Sequence, residues 1–137
     1  MTKREYKDLN IGDSVALKQT ASEEYVVTMA RLTEDTNPIH LDEEHAKGTI
    51  FGQRIAHGLF CDGMVSRILG TELPGLGTIY MQKNIQFRSP VFIGDEIETT
   101  LTITNLVDEK HLIDLDFICA KADGTVVAKG DVRVKLP

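Results

Sequence analysis

The stretch from Leu32 to Asp42 reads Leu-Thr-Glu-Asp-Thr-Asn-Pro-Ile-His-Leu-Asp and gathers a carboxylate, an amide and an imidazole around one proline. The residue before a proline is pushed out of the α region, so Asn37 is expected to be extended and a helix entering this segment must end near Asp35. On an unbroken helix Asp35 and His40 would lie on different faces; a turn at Asn37-Pro38 can bring both to one cleft. An aspartate and a histidine sharing a cleft can hold a water molecule and activate it. The plainer reading of the same residues is a helix end followed by an Asx turn.

A second polar signal, Ile55-Ala56-His57-Gly58, stands at the start of an apolar segment. If a helix begins there, the Gly58 amide is one of the first-turn N–H groups that no helical carbonyl can satisfy, and such a donor can stabilise an oxyanion. Glycine at that point would also let a bulky ligand approach the backbone with no Cβ in the way. His57 is left outside the catalytic set, as a residue that packs or hydrogen-bonds at the helix start. His40, His45 and His57 with Asp42 and Glu44 do not show a zincin-like spacing, and no metal site is expected from them. Ser66 reads as a helix-face residue that could reach the cleft, and Cys61, with no evident base beside it, as core.

These groups need elements to position them. Thr20-Ala21-Ser22-Glu23 has the spacing of a capping box, and Val26, Met29, Ala30 and Thr33 then recur on one helical face. From Ile55 to Leu69 apolar residues cover nearly every side, which predicts an enclosed helix with Gly70 as its stop. Beyond Ile79 the period changes to two. Ile113, Leu115, Phe117 and Cys119 alternate with polar neighbours, as do Ile97 to Ile103 and Val132 to Leu136. Turn signals at Pro90, Ile93-Gly94-Asp95, Val107-Asp108-Glu109 and Ala122-Asp123-Gly124 divide this half into about four strands, and the short connections favour an antiparallel meander. A highly apolar helix covering one face of such a sheet is an α+β arrangement.

With 137 residues, no internal repeat and no linker-like stretch, the whole of 1–137 is read as one domain. The formal net charge of −6 argues against a nucleic-acid partner, and the absence of any long apolar run argues against a membrane span. The charged N-terminal stretch has no apolar segment behind it, so a cytoplasmic location is expected. Cys61 and Cys119 sit in apolar company without CxxC spacing and are expected as buried free thiols.

Asp35-Thr36-Asn37-Pro38-Ile39-His40, followed by Ala46 and then Arg54-Ile55-Ala56-His57-Gly58, resembles the signature of the MaoC-like (R)-specific enoyl-CoA hydratases. The likeness runs from about Ala21 to Val134 and includes Phe87-Arg88-Ser89-Pro90-Val91 with Gly94-Asp95. It implies a hot-dog fold, an antiparallel sheet wrapped around a long central helix, usually paired as a homodimer. It also implies reversible hydration of trans-2-enoyl-CoA to (R)-3-hydroxyacyl-CoA with no metal or redox cofactor. On that resemblance Asp35 and His40 are the dyad around the water, Asn37 orients the dyad or the water, and Gly58 polarises the thioester carbonyl. The chain departs from the family where a glycine usually precedes the motif aspartate: here it is Glu34, a second carboxylate that could face Asp35 or point to solvent. A common aromatic a few positions earlier is replaced by Met29 and Ala30. The CoA phosphates would need cations, for which Arg54, Arg67, Lys83 and Arg88 are candidates. Two other functions remain open at this point: a hot-dog acyl-CoA thioesterase, and a non-catalytic acyl-CoA or acyl-carrier binding subunit.

Overall fold

The computed structural model describes all 137 residues. In chain order the elements are β1 (Ser14–Thr20), α1 (Glu23–Thr33), α2 (Pro38–Leu41), α3 (Glu43–Lys47), α4 (Leu59–Thr71), β2 (Ile79–Phe87), β3 (Glu96–Val107), β4 (Leu112–Lys121) and β5 (Val126–Lys135). The five strands form one antiparallel sheet in the order β1-β3-β4-β5-β2, and α4 packs against it. This is the α+β hot-dog arrangement.

The period-two residues do what alternation requires: Ile97, Leu101, Ile103, Ile113, Leu115, Phe117, Cys119, Val132 and Val134 all turn inward and are buried. They meet Phe60, Met64, Val65, Ile68 and Leu69 of α4, and each large side chain so enclosed contributes about 1.5–3 kcal/mol. Thr99 is the polar exception on that inner face, fully buried, with its hydroxyl within hydrogen-bonding distance of the sulfurs of Met64 and Cys119, at 3.3 and 3.2 Å. Gly130 on β5 lies where a Cβ would run into the Asn84 carbonyl of β2, so only glycine lets these two strands pair there.

Five sequence expectations change. Strand β1 lay outside the reading, because only Val15 and Leu17 alternate inward as apolar residues in a segment otherwise polar or small. The N-cap of α1 is Ser22, whose hydroxyl accepts from the Tyr25 N–H, rather than Thr20, which ends β1. Helix α4 starts at Leu59, since Ile55 is drawn into a β-bridge with Phe92 and the Ala56 N–H donates to Val91; it runs through Gly70 to Thr71. Nor is α4 enclosed all round: Leu59 and Ser66 are exposed and Asp62 and Gly63 only half-buried, leaving one open face. Finally, the strands make a partial meander. β3, β4 and β5 follow one another, but β2 crosses to the far edge beside β5 although only residues 88–95 join it to β3. That connection is held by its bonds to Ile55 and Ala56, the segment leading into α4.

Candidate active site

Helix α1 ends at Thr33, whose hydroxyl donates to the Met29 carbonyl at 2.7 Å and accepts from the Asp35 N–H at 3.2 Å. Between them Glu34 takes the left-handed conformation, φ 59°. This explains the family glycine: the helix is terminated by a left-handed residue, a conformation that costs a side chain with Cβ roughly 1–2 kcal/mol. Glu34 is exposed.

The turn then winds itself from its own polar side chains. The Asn37 N–H donates to Asp35 Oδ1 at 3.3 Å, and Asn37 Oδ1 accepts from the Ile39 N–H at 3.1 Å, capping α2 with Pro38 in its first turn. Asn37, at φ −51° and ψ 126°, lies outside the α region, as its position before proline demands, without being fully extended. Its carbonyl-type oxygen is thereby committed to the helix that carries His40, a positioning role built on the backbone.

His40 is 8% exposed and held from both ends. Its Nδ1–H donates to the Ile55 carbonyl at 2.7 Å, which leaves the Nε2 lone pair facing Asp35, 3.9 Å from Oδ2. Arg54 donates from Nε to the His40 carbonyl at 2.7 Å and clasps Glu23 of α1 with both terminal nitrogens at 2.9 and 3.1 Å. A gap of 3.9 Å is too long for a direct hydrogen bond and suits a water bridging the carboxylate and the imidazole.

His57, 4% exposed, stacks on His40 with ring centroids 3.7 Å apart and 23° between planes. Its Nε2–H donates to the Asp35 backbone carbonyl at 3.0 Å, and Nδ1 is buried without a partner. The contact brings Asp35, His40 and the start of α4 together, a role that the sequence alone did not assign to His57. Ligand atoms of Asp35, His40 and His57 lie within 4.8 Å of one another, whereas the exposed His45 belongs to α3 and stands outside this group. His57 Nε2 is occupied by the Asp35 carbonyl.

Gly58 follows directly, at φ −55° and ψ −31°, and neither its N–H nor that of Leu59 finds an acceptor in the chain. Two free donors therefore open α4, next to the His57 that bonds Asp35 and stacks on His40. The structure adds a second reason for glycine: the direction of a Cβ is filled by the Phe87 ring, whose Cζ would be 2.9 Å away. The open face of α4 carries a cavity between α1 and β2, lined by Met29, Leu59, Asp62, Ser66, Tyr80 and Lys83 among others. On the other side of the helix start a second cavity reaches from His57 and Gly58 to Phe87 and Arg88.

The candidate cations separate clearly. Arg54 is committed to Glu23 and His40, and Lys83 is ion-paired with Asp62. Arg67 reaches only Gln19, at 3.4 Å, while Arg88 has no acidic partner and donates to Gln86 at 2.7 Å. Cys61 and Cys119 are free and buried; the neighbouring Cys119 thiol, then burial, pushes the Cys61 thiol up.

Residues 8–116 match the family described as "MaoC like domain". An (R)-specific enoyl-CoA hydratase of Rhodospirillum rubrum is 42% identical over 132 residues, covering 96% of this chain and 91% of that protein. A 3-hydroxybutyryl-CoA dehydratase of Methylorubrum extorquens is also 42% identical over 132 residues, with 96% and 83% covered. Among solved structures, the (R)-hydratase of A. caviae involved in PHA biosynthesis superposes with a TM-score of 0.92 at 34% identity, covering 96% of this chain and 99% of that one. With the Asp35 turn, the stacked histidines and the open helix start in place, this chain belongs to the MaoC-like family.

Proposed function

We propose that the protein is an (R)-specific enoyl-CoA hydratase. The observation that carries the reading is the pairing of two unsatisfied N–H groups at the start of α4 with the 3.9 Å gap between Asp35 and His40, joined through His57. In the proposed reaction a trans-2-enoyl thioester places its carbonyl oxygen on the Gly58 amide and C3 beside the water held between Asp35 Oδ2 and His40 Nε2. His40 takes one proton as the water oxygen bonds to C3, and electrons move through C2 onto the thioester oxygen. Asp35 holds the other water hydrogen and offsets the imidazolium charge; the imidazolium then returns its proton to C2. Negative charge develops on the oxygen only as the C–O bond forms, so the amide is stronger in the transition state than in the ground state. No metal or redox group enters this scheme.

The test is loss of the conjugated absorbance of crotonyl-CoA with chiral analysis of the product. Asp35→Asn should lower kcat by about 10²-fold or more with an unchanged melting curve, and His40→Ala should lower it as far together with Tm, since it empties a buried, hydrogen-bonded position. An unchanged rate would remove the dyad from the mechanism, and thiol release from a saturated acyl-CoA would point to a thioesterase instead. A homodimer is part of the proposal: β2 is a sheet edge that leaves Ile79, Met81 and Phe87 about half exposed, and pairing two such edges would cover them. Sedimentation showing a monomer at all concentrations would refute it. No helix is long and apolar enough to cross a membrane, which is compatible with the proposed cytoplasmic setting.

A further inference from the structure

The cavity on the open face of α4 contains a charged cluster that the hydration chemistry does not use. Asp62, side chain 17% exposed, receives Lys83 on Oδ2 and the Tyr80 hydroxyl on Oδ1, the latter at 3.3 Å. Tyr80 and Lys83 are three residues apart on one strand and would ordinarily face opposite sides; a register shift between Tyr80 and Gln82 turns both toward Asp62. Both oxygens of the carboxylate are thus held, and the pair forms part of a wall that also includes Leu59, Met29 and Ser66.

We propose that the Asp62–Lys83 pair, braced by Tyr80, limits the acyl group of the substrate to short chains. The inference rests on the reading of the site as an acyl-thioester hydratase. Two cavities meet the start of α4, and charge decides which takes which end of the substrate. The one beyond Gly58 ends at Arg88, a cation with no acidic partner and suited to the phosphates of CoA, whereas the one beyond Leu59 holds only the neutralised pair. The acyl chain therefore runs along α4 toward Asp62.

Asp62 lies four residues beyond Gly58, one helical turn or about 6 Å along the axis. Each carbon of an extended chain advances about 1.3 Å, so a four-carbon acyl group held at the Gly58 amide ends roughly 4 Å on, short of the pair. Carbons five and six reach it, and a longer tail must lie across it. Lys83 keeps 42% of its side chain exposed, and an apolar tail laid over the ammonium would displace its water and return no hydrogen bond. Short chains avoid that desolvation. The pair thus discriminates by what it costs a long tail, and adds nothing to the binding of a short one.

The experiment measures kcat/KM for crotonyl-CoA and trans-2-octenoyl-CoA in the wild type, in Asp62→Ala/Lys83→Met, which removes both charges together, and in Lys83→Arg, which keeps the pair. The wild type is expected to favour the four-carbon substrate by about 10-fold or more, and the double variant to move the ratio at least about 10-fold toward the eight-carbon one, a difference within reach of a few methylenes. Lys83→Arg should leave the ratio in place. A wild type that handles both lengths equally, or a double variant with an unmoved ratio, overturns the proposal while leaving the hydratase reading intact. If no variant hydrates either thioester, the hydratase reading fails, and the chain-length inference falls with it. The wild-type ratio needs no variant to fold, so poor folding of the double variant cannot shield the proposal.

Discussion

Gly58 sits at the centre of the site, and replacing it by alanine separates two explanations for the glycine. The backbone there is right-handed helical, φ −55° and ψ −31°, so alanine is conformationally acceptable and the amide donor is kept. What changes is one methyl group, 2.9 Å from Cζ and 3.0 Å from Cε1 of Phe87. Overpacking of this kind costs about 1–3 kcal/mol, and the low end applies because the methyl meets only the far end of the Phe87 side chain. Unfolding entropy near 2.1 cal/mol/K per residue gives a chain of this length about 0.3 kcal/mol/K, so a 1 kcal/mol loss should lower Tm by roughly 3–4 °C. If Phe87 is the cause, Phe87→Ala should absorb the added methyl. The double variant should then melt close to Phe87→Ala alone, with a coupling of about 1 kcal/mol in a double-mutant cycle, and recover hydration lost in Gly58→Ala. Additive Tm losses would refute the argument from Phe87. A double variant that folds well but stays inactive would return the explanation to the substrate itself.

The left-handed Glu34 makes Glu34→Gly a stabilising change, by roughly 0.5–1 kcal/mol in denaturant unfolding, since glycine relieves the strain but loses more freedom on folding. Arg54→Ala should cost about 1.5–3 kcal/mol and lower kcat more than it changes KM, because it frees the His40 carbonyl and α1 together; Arg54→Lys, lacking the planar fork, should not restore the rate. At Asp114 the Arg133 hydrogen bonds come first among the causes that hold the carboxyl below its ordinary range. Its stabilisation is therefore complete above the ordinary carboxylate pKa of about 4 and is lost as pH falls through the folded value. Asp114→Asn should be less stable at neutral pH by at most about 1 kcal/mol, given the pair's partial exposure, and the gap should close in acid unfolding.

The parts of the molecule legible in the sequence are those governed by neighbours along the chain. Alternation from Ile113 to Cys119 needs only the pleat, and the Asp35 turn is written in the Asn-Pro dipeptide and the side chains beside it. Strand β1 was hidden because a short edge element with two inward apolar residues carries little periodic signal. The boundary of α4 was overreached because Ile55 and Ala56 are apolar for a different reason, their bonds to Phe92 and Val91. Contacts across long separations had no local trace: His57 on His40, Phe87 over Gly58, and Lys83 with Asp62, which depends on a strand irregularity no composition reveals.

Asp35 and His40 are anchored unequally. His40 is tied to Ile55, whose own N–H bonds Ile39 and whose neighbour Ala56 bonds Val91, so the imidazole inherits the rigidity of the packed interior. Asp35 hangs in an exposed loop whose bonds span only two residues each, apart from the one His57 gives its carbonyl. Amide hydrogen exchange should register the asymmetry, with Ala56 protected to near the global unfolding limit and Asp35 and Asn37 exchanging through small local openings. In the proposed hydration, His40 would then be the fixed reference and Asp35 the compliant arm, free to follow the water oxygen toward the carbon it attacks.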